Sequence, residues 1–280
     1  MSHANIPETV RRLLASQPIE LPIFHPVALK LQRMLSNYDF TVDEVSHVAN
    51  EDMSLASQML KIANSPMYMG RSKVATIKEA VIRLGAQQVI NLVIAASQAA
   101  AHSSTNPALD HYMKELWIHS HCSALGARWL AYSCGMRGVA DETYLAALLH
   151  DVGKLYLLKS MEKLVSAGVI NSLFDDELIR EIFEVMHVEQ GYRMMQHWNF
   201  PAMYCDVIRD HHTEEWDTVN RMLAIIRFVN LTTHRLGIGL KHEPELVLMA
   251  TKEAEVLDIT DPQIVELESM LEESREAALE

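Results

Sequence analysis

Nowhere in this 280-residue chain do apolar and polar residues alternate with period two for long enough to make a strand; apolar side chains return instead at the three- and four-residue spacing of a helix face. That periodicity restricts the chain to helices packed on one another. Start and stop signals repeat along it. Thr41-Val42-Asp43-Glu44 and Thr76-Ile77-Lys78-Glu79 are capping boxes, Asp52 can cap a helix that stops at Asn64-Ser65-Pro66, and Gly85 and Gly135 close two others. Before Pro26, the prolines at 22 and 26 predict an extended segment over residues 20–26. Further helices are expected over residues 1–17, 27–35, 87–101 and about 108–134, and from an Asp141 cap to His150. Two short helices should follow to Gly168, then helices at 175–186, 188–197, 201–212, 218–236, 244–257 and 262–276. The polar run Ser103-Ser104-Thr105-Asn106-Pro107 is the best boundary candidate. It sets an N-terminal helical lobe at 1–106 against a second lobe at 107–240, followed by acidic C-terminal helices at 241–280.

Composition narrows the function classes. Apolar residues make up 49% and charged residues 22%, ordinary for a globular chain, while the formal charge of 24 − 37 = −13 argues against a nucleic-acid partner. Cys122, Cys134 and Cys205 are widely spaced with no C-x-x-C, so neither a disulfide framework nor a thiolate zinc site is signalled, and a reducing cytoplasm is expected. The first residues lack a basic region followed by an apolar run. The most apolar stretch, Val89 to Ala101, is interrupted by Asn91, Ser97 and Gln98 and falls short of the ~20 residues a bilayer requires. No membrane association is expected.

The chemistry-bearing pattern centres on Leu148-Leu149-His150-Asp151-Val152-Gly153-Lys154. Adjacent helical residues diverge by about 100°, so His150 and Asp151 can share an ion only at a helix end, and Gly153 is expected to supply the break. Lys154, about one turn on from His150, could reach a phosphate held by the metal. A His-Asp pair alone is commonplace, but other donors stand elsewhere. Glu115 and His119 share a helix face at i and i+4, His187 lies in Glu184-Val185-Met186-His187, and His211-His212 ends the helix opened by Pro201. Seven oxygen and nitrogen donors from four points of the chain suit a mononuclear or dinuclear site for iron, manganese, nickel or zinc. His102, His111, His121, His197, His234 and His242 have no such partner series and read as surface or packed histidines.

The series Glu115/His119, His150-Asp151, His187, His211-His212 resembles the H…HD…H…HH…D pattern of the HD superfamily of metal-dependent phosphohydrolases. Leu21-Pro22, Pro26 through Leu31, Gln58 through Pro66, Ala80 through Gly85, Leu116 through Ser120 and His197 through Pro201 are similar to the HDOD (HD-related output) domain, over roughly residues 18 to 236. The resemblance implies an all-α fold, an N-terminal helical bundle packed on an HD-like core, in a bacterial signalling protein, and many members of that family have lost metal ligands. This chain departs from the HD pattern at Asn230, in Phe228-Val229-Asn230-Leu231, where a late aspartate is expected; an amide oxygen can bind a metal but brings no charge. It also follows His211-His212 with Thr213-Glu214-Glu215-Trp216 rather than the glycine-rich G-Y-P segment of HD-GYP relatives, which argues against cyclic di-GMP hydrolysis.

Two functions follow from the resemblance. The one placed first is a regulatory module in which one or two divalent transition-metal ions tie helices together, with signalling proteins as partners and a homo-oligomer as a further expectation. The alternative is a phosphohydrolase acting on a nucleotide-like phosphoester. There the metal on His119, His150 and Asp151 would activate water, Lys154 would neutralise charge on the phosphate, His187 and His211 could carry a second ion, and His212 could ligate or protonate the leaving oxygen. Asn230 weakens the enzymatic reading.

Overall fold

A computed structural model describes residues 8–16, 24–37, 40–64, 68, 70, 72–169 and 175–279. The expectations for residues 1–7 and 17, for 20–23 and for Ser65-Pro66 lie outside them. Among the described residues every regular element is helical, as the periodicity requires, and none is long and apolar enough to cross a membrane. The chain divides into two compact units.

After α1 (Glu8–Ala15), which belongs to the larger unit, the smaller unit takes residues 22–101 and 198–201. It comprises α2 (Pro26–Asn37), α3 (Val42–Ala49), α4 (Met53–Ala63), α5 (Ile77–Leu84) and α6 (Ala86–Ala101). α6 is buried on all sides from Gln88 through Gln98, and α2 to α5 all pack against it, the arrangement a helix without a polar face demands. Local signals define the ends. Thr41 and Glu44 form the reciprocal capping box, with Thr41 N donating to Glu44 Oε2 at 2.7 Å and Glu44 N to Thr41 Oγ1 at 3.2 Å. Asp52 caps α4 by accepting from Leu55 N at 2.8 Å. At α5 the Thr76 hydroxyl caps Glu79 N, but the Glu79 carboxylate accepts from Ala75 N instead of the cap residue's own N–H.

The larger unit takes residues 102–197 and 202–279 with α1. Its helices are α7 (Pro107–Ser133), α8 (Ala140–Leu149), α9 (Val152–Ser166), α10 (Asp176–His197), α11 (Ala202–Asp210), α12 (Arg221–Leu236), α13 (Lys252–Leu257) and α14 (Asp261–Leu279). α7 is the axis, packed by α8, α12 and α14, while α10 packs on α9 and α11. Gly126 lets two neighbours close on α7, because a Cβ there would sit 2.9 Å from Leu271 Cδ2 and 3.0 Å from Val229 Cγ1.

Several breaks differ from expectation. α10 runs unbroken through His187, and that ring donates from Nδ1 to the Phe183 carbonyl one turn back. α9 is likewise one helix, not two. Asp141 does not cap α8: its carboxylate is drawn to Arg128 of α7, 2.8 Å away, and Val139 holds the cap position. Residues 244–247 are not helical, so the expected helix from Pro244 is reduced to a 3-10 turn at Leu248–Ala250 and α13.

Gly153 is not the break either. It is helical within α9, and the interruption falls before it, at His150-Asp151. Its lack of a side chain serves helix packing instead: a Cβ on Gly153 would collide with the His187 carbonyl and approach Gly191 N to 2.8 Å, while one on Gly191 would meet Gly153 N at 3.2 Å. Backbone therefore rests on backbone where α9 crosses α10. Gly153→Ala is expected to cost about 3 kcal/mol or more in urea unfolding, whereas Gly138→Ala, with open space where its Cβ would go, should fall within about 0.5 kcal/mol of the parent. Equal effects would contradict this account of the crossing.

Candidate metal centre

The two residues between α8 and α9 are His150 (φ −56°, ψ −34°) and Asp151 (φ −103°, ψ 15°). Asp151 leaves helical geometry, so two adjacent side chains that a continuous helix would splay apart can converge. His119 comes from the middle of α7, His187 from α10 beside the Gly153 crossing, and His211-His212 from the C-terminal end of α11.

These side chains form two triangles that share one carboxylate. In the first, His119 Nε2 and His150 Nε2 are 3.2 Å apart and each lies 3.4 Å from Asp151 Oδ2. In the second, His187 Nε2 and His211 Nε2 are 3.4 Å apart and each lies 3.6 Å from Asp151 Oδ1. His212 joins the second group and alone of the six is exposed. Asp151 and His150 are each 1% exposed.

Hydrogen bonding fixes the tautomers. His150 Nδ1 faces the Ala147 carbonyl at 2.6 Å, His211 Nδ1 the Ile208 carbonyl at 2.7 Å, His119 Nδ1 the Ile238 carbonyl at 3.2 Å, and His187 Nδ1 the Phe183 carbonyl. A carbonyl oxygen only accepts, so each Nδ1 carries the proton and each Nε2 of a neutral ring presents a lone pair. Lone pairs then face one another across 3.2 Å and 3.4 Å. Burial lowers the pKa of His119 and His211, and pushes His187 down to about 3, which keeps those three rings neutral. Burial alone would raise the Asp151 carboxyl, but the Lys154 ammonium outweighs it and holds it well below the ordinary carboxylate range.

Facing lone pairs around a carboxylate are what a cation requires. Two ligand atoms about 2.0–2.1 Å from one tetrahedral ion stand roughly 3.3 Å apart, close to the sides of the first triangle. Asp151 Oδ1 is buried with no hydrogen-bond partner, an orphan whose desolvation a metal would offset. Neutral imidazoles with a carboxylate suit a divalent transition metal, so the residues fit the group.

Glu115, one turn before His119 on α7, is half-buried and belongs to neither triangle. Lys154 does not reach outward: its Nζ lies 2.6 Å from Asp151 Oδ2. Asn230 sits in α12 with its Oδ1 buried and lacking a hydrogen-bond partner. One turn on, His234, a residue with no sequence signal beyond its i+4 spacing from Asn230, stacks on His119 with ring centres 5.9 Å apart. Gly239 (φ +100°) passes so close that a Cβ would lie 2.7 Å from His119 Cβ, which lets Ile238 present its carbonyl to that ring. The periodicity gave no hint of this approach.

A family model for the HDOD domain matches residues 21–214. An uncharacterised protein of Treponema pallidum (strain Nichols) is 25% identical over 228 residues, 78% of this chain and 43% of that protein, so the chain spans less than half the length of this relative. An HDOD domain protein of unknown function from Geobacter sulfurreducens superposes with a TM-score of 0.75 at 23% identity, covering 98% of this chain and 97% of the other. A Shewanella amazonensis SB2B protein provisionally named a metal-dependent phosphohydrolase gives 0.65 at 19%, covering 94% and 97%. A Marinobacter aquaeolei VT8 protein provisionally named for signal transduction gives 0.68 at 23%, covering 100% and 67%. At these identities the structures share the fold.

The buried imidazoles also set an acid limit. The folded pKa values of His119, His187 and His211 lie below the value of about 6.5 they regain on unfolding, so the unfolded chain binds more protons as pH falls through that window. Stability is complete above about pH 6.5 and declines toward pH 3, with the depressed Asp151 acting in the same direction lower down. Chelator-treated protein should show a urea midpoint at pH 5 clearly below that at pH 7.5; a flat profile would mean the rings are not buried neutral.

Proposed function

The chain belongs to the HDOD domain family, and from that premise we propose that it is a regulatory module whose larger unit is bolted together by one or two divalent transition-metal ions. His119, His150 and Asp151 hold one ion; Asp151, His187, His211 and His212 hold the second. The observation that carries this reading is the pair of triangles on Asp151, with donors buried to 5% exposure or less apart from His212.

The same geometry favours a module over an enzyme. The Lys154 charge is spent on Asp151 at 2.6 Å instead of standing free for a phosphate. Asn230 adds no negative charge. Partners are then signalling proteins that recognise the metal-braced fold. A second reading, a phosphohydrolase for a phosphoester ligand, is supported by the exposure of His212 at the edge of the second triangle, where a substrate could approach the group; burial and His211 hold the His212 pKa low, so it suits a ligand rather than the expected proton donor. A bound divalent ion would supply Lewis-acid polarisation of the phosphoryl group in that case. Lys154 would have to release Asp151 to meet the substrate.

Protein purified without chelators should carry at least one transition metal per chain by elemental analysis. Zinc at a hundred times its dissociation constant should add about 2.7 kcal/mol to the stability of chelated protein. Neither p-nitrophenyl phosphate nor bis(p-nitrophenyl) phosphate should turn over. Turnover that Asp151→Ala abolishes while the fold persists would establish the hydrolase instead.

A further inference from the structure

The His211-His212 pair lies just past the end of α11, where helix carbonyls lack intrahelical donors and the chain is free to drift. Thr213 closes part of that end, its N and Oγ1 donating to the Asp210 carbonyl at 3.1 and 2.8 Å, and one guanidinium reaches it from another helix. Arg227 Nη1, from α12, donates to the carbonyls of Asp210, His211 and Thr213 at 3.2, 2.9 and 3.0 Å, so it clasps the backbone on both sides of the doublet. Arg227 Nε donates to Glu253 Oε1 of α13 at 2.7 Å. The pair is buried, with Arg227 14% and Glu253 6% exposed. The Trp216 ring covers the guanidinium, its centre 5.0 Å from Cζ, and Lys252 Nζ, also from α13, lies 5.3 Å from that centre. Arg227, Glu253 and Trp216 all fall beyond residue 214, where the family match ends.

We propose that Glu253, acting through Arg227, is a positioning residue for the second metal group, so that α13 sets the geometry of His211 and His212 without touching the ion. The inference rests on the metal reading above. A buried ion pair adds little net stability over an apolar pair of the same size, whereas removing one partner strands a charge. Stability is therefore not what this pair supplies to the fold. Its contribution is orientation: a planar fork whose one edge holds three carbonyls, with its Nε–H anchored by a carboxylate on another helix.

The test uses zinc itself, titrated into full-length metal-free protein against a chromophoric chelator. His187→Ala identifies the binding step that belongs to the second triangle. Glu253→Ala should weaken that step by ~10–100-fold, the usual effect of losing a residue that orients a metal ligand, and leave the other step unchanged. Glu253→Gln, which keeps an acceptor for Arg227 Nε, should lose less. Because Glu253→Ala could unfold the chain, the double variant Arg227→Met/Glu253→Met is measured beside it. It strands no charge and should stay folded, with a metal-free melting temperature lowered only by the three carbonyls that lose a donor, yet still lose affinity at the His187-dependent step. Zinc binding that is intact at that step in the folded double variant, or weakened equally at both steps, overturns the proposal while leaving the metal reading standing. A parent chain that binds no zinc, or binds it with no His187-dependent step, defeats the metal assignment of the second triangle and this inference with it.

Discussion

A carboxylate 1% exposed, with an ammonium at 2.6 Å and four imidazole nitrogens at 3.4 to 3.6 Å, is the interaction on which the larger unit depends. An ionised Asp151 in such a place carries a desolvation cost of several kcal/mol unless positive charge or hydrogen bonds offset it. Lys154 offsets part of that cost from one side. The remaining compensation calls for a cation between the carboxylate and the imidazoles, whose Nε2 lone pairs are aimed at it because backbone carbonyls hold their protons on Nδ1. Four separate helical segments must therefore arrive at one point with their backbones, and not only their side chains, correctly placed.

This requirement separates what could be read from the amino-acid order from what could not. The caps at Thr41, Asp52 and Thr76 are interactions within four residues, so their chemistry is written locally and their helices start where the residues say. The all-helical class follows from periodicity for the same reason. Helix continuity through His187 was illegible, because the groups that bury this part of α10, Gly153 and His211, stand far away in the chain. The i, i+4 spacing of Glu115 and His119 places both on one side of α7 but cannot say which turns inward, and the structure gathers only His119 into a triangle. Nor could spacing tell that Asp151 gives one oxygen to each pair.

Charged residues were the other blind spot. Arg227 and Glu253 stand 26 positions apart and look like ordinary surface charges in a chain of net charge −13. Folding places them together under Trp216, with the guanidinium satisfied by three carbonyls and a carboxylate. The acidic C-terminal helices also bury part of their surface: Glu253 points into the protein, and Leu267 and Leu271 of α14 are fully buried, with Leu271 closest to Gly126.

The meeting of Gly153 and Gly191 has a consequence of its own. Side-chain contacts between helices are compliant, because a rotamer change or a smaller residue lets the axes slide by a fraction of an ångström. Main chain seated on main chain has no such slack. The span from the α8–α9 junction to His187 thus works as a fixed gauge, indifferent to repacking elsewhere in α9 or α10, and any motion that alters it must carry both helices together as one piece.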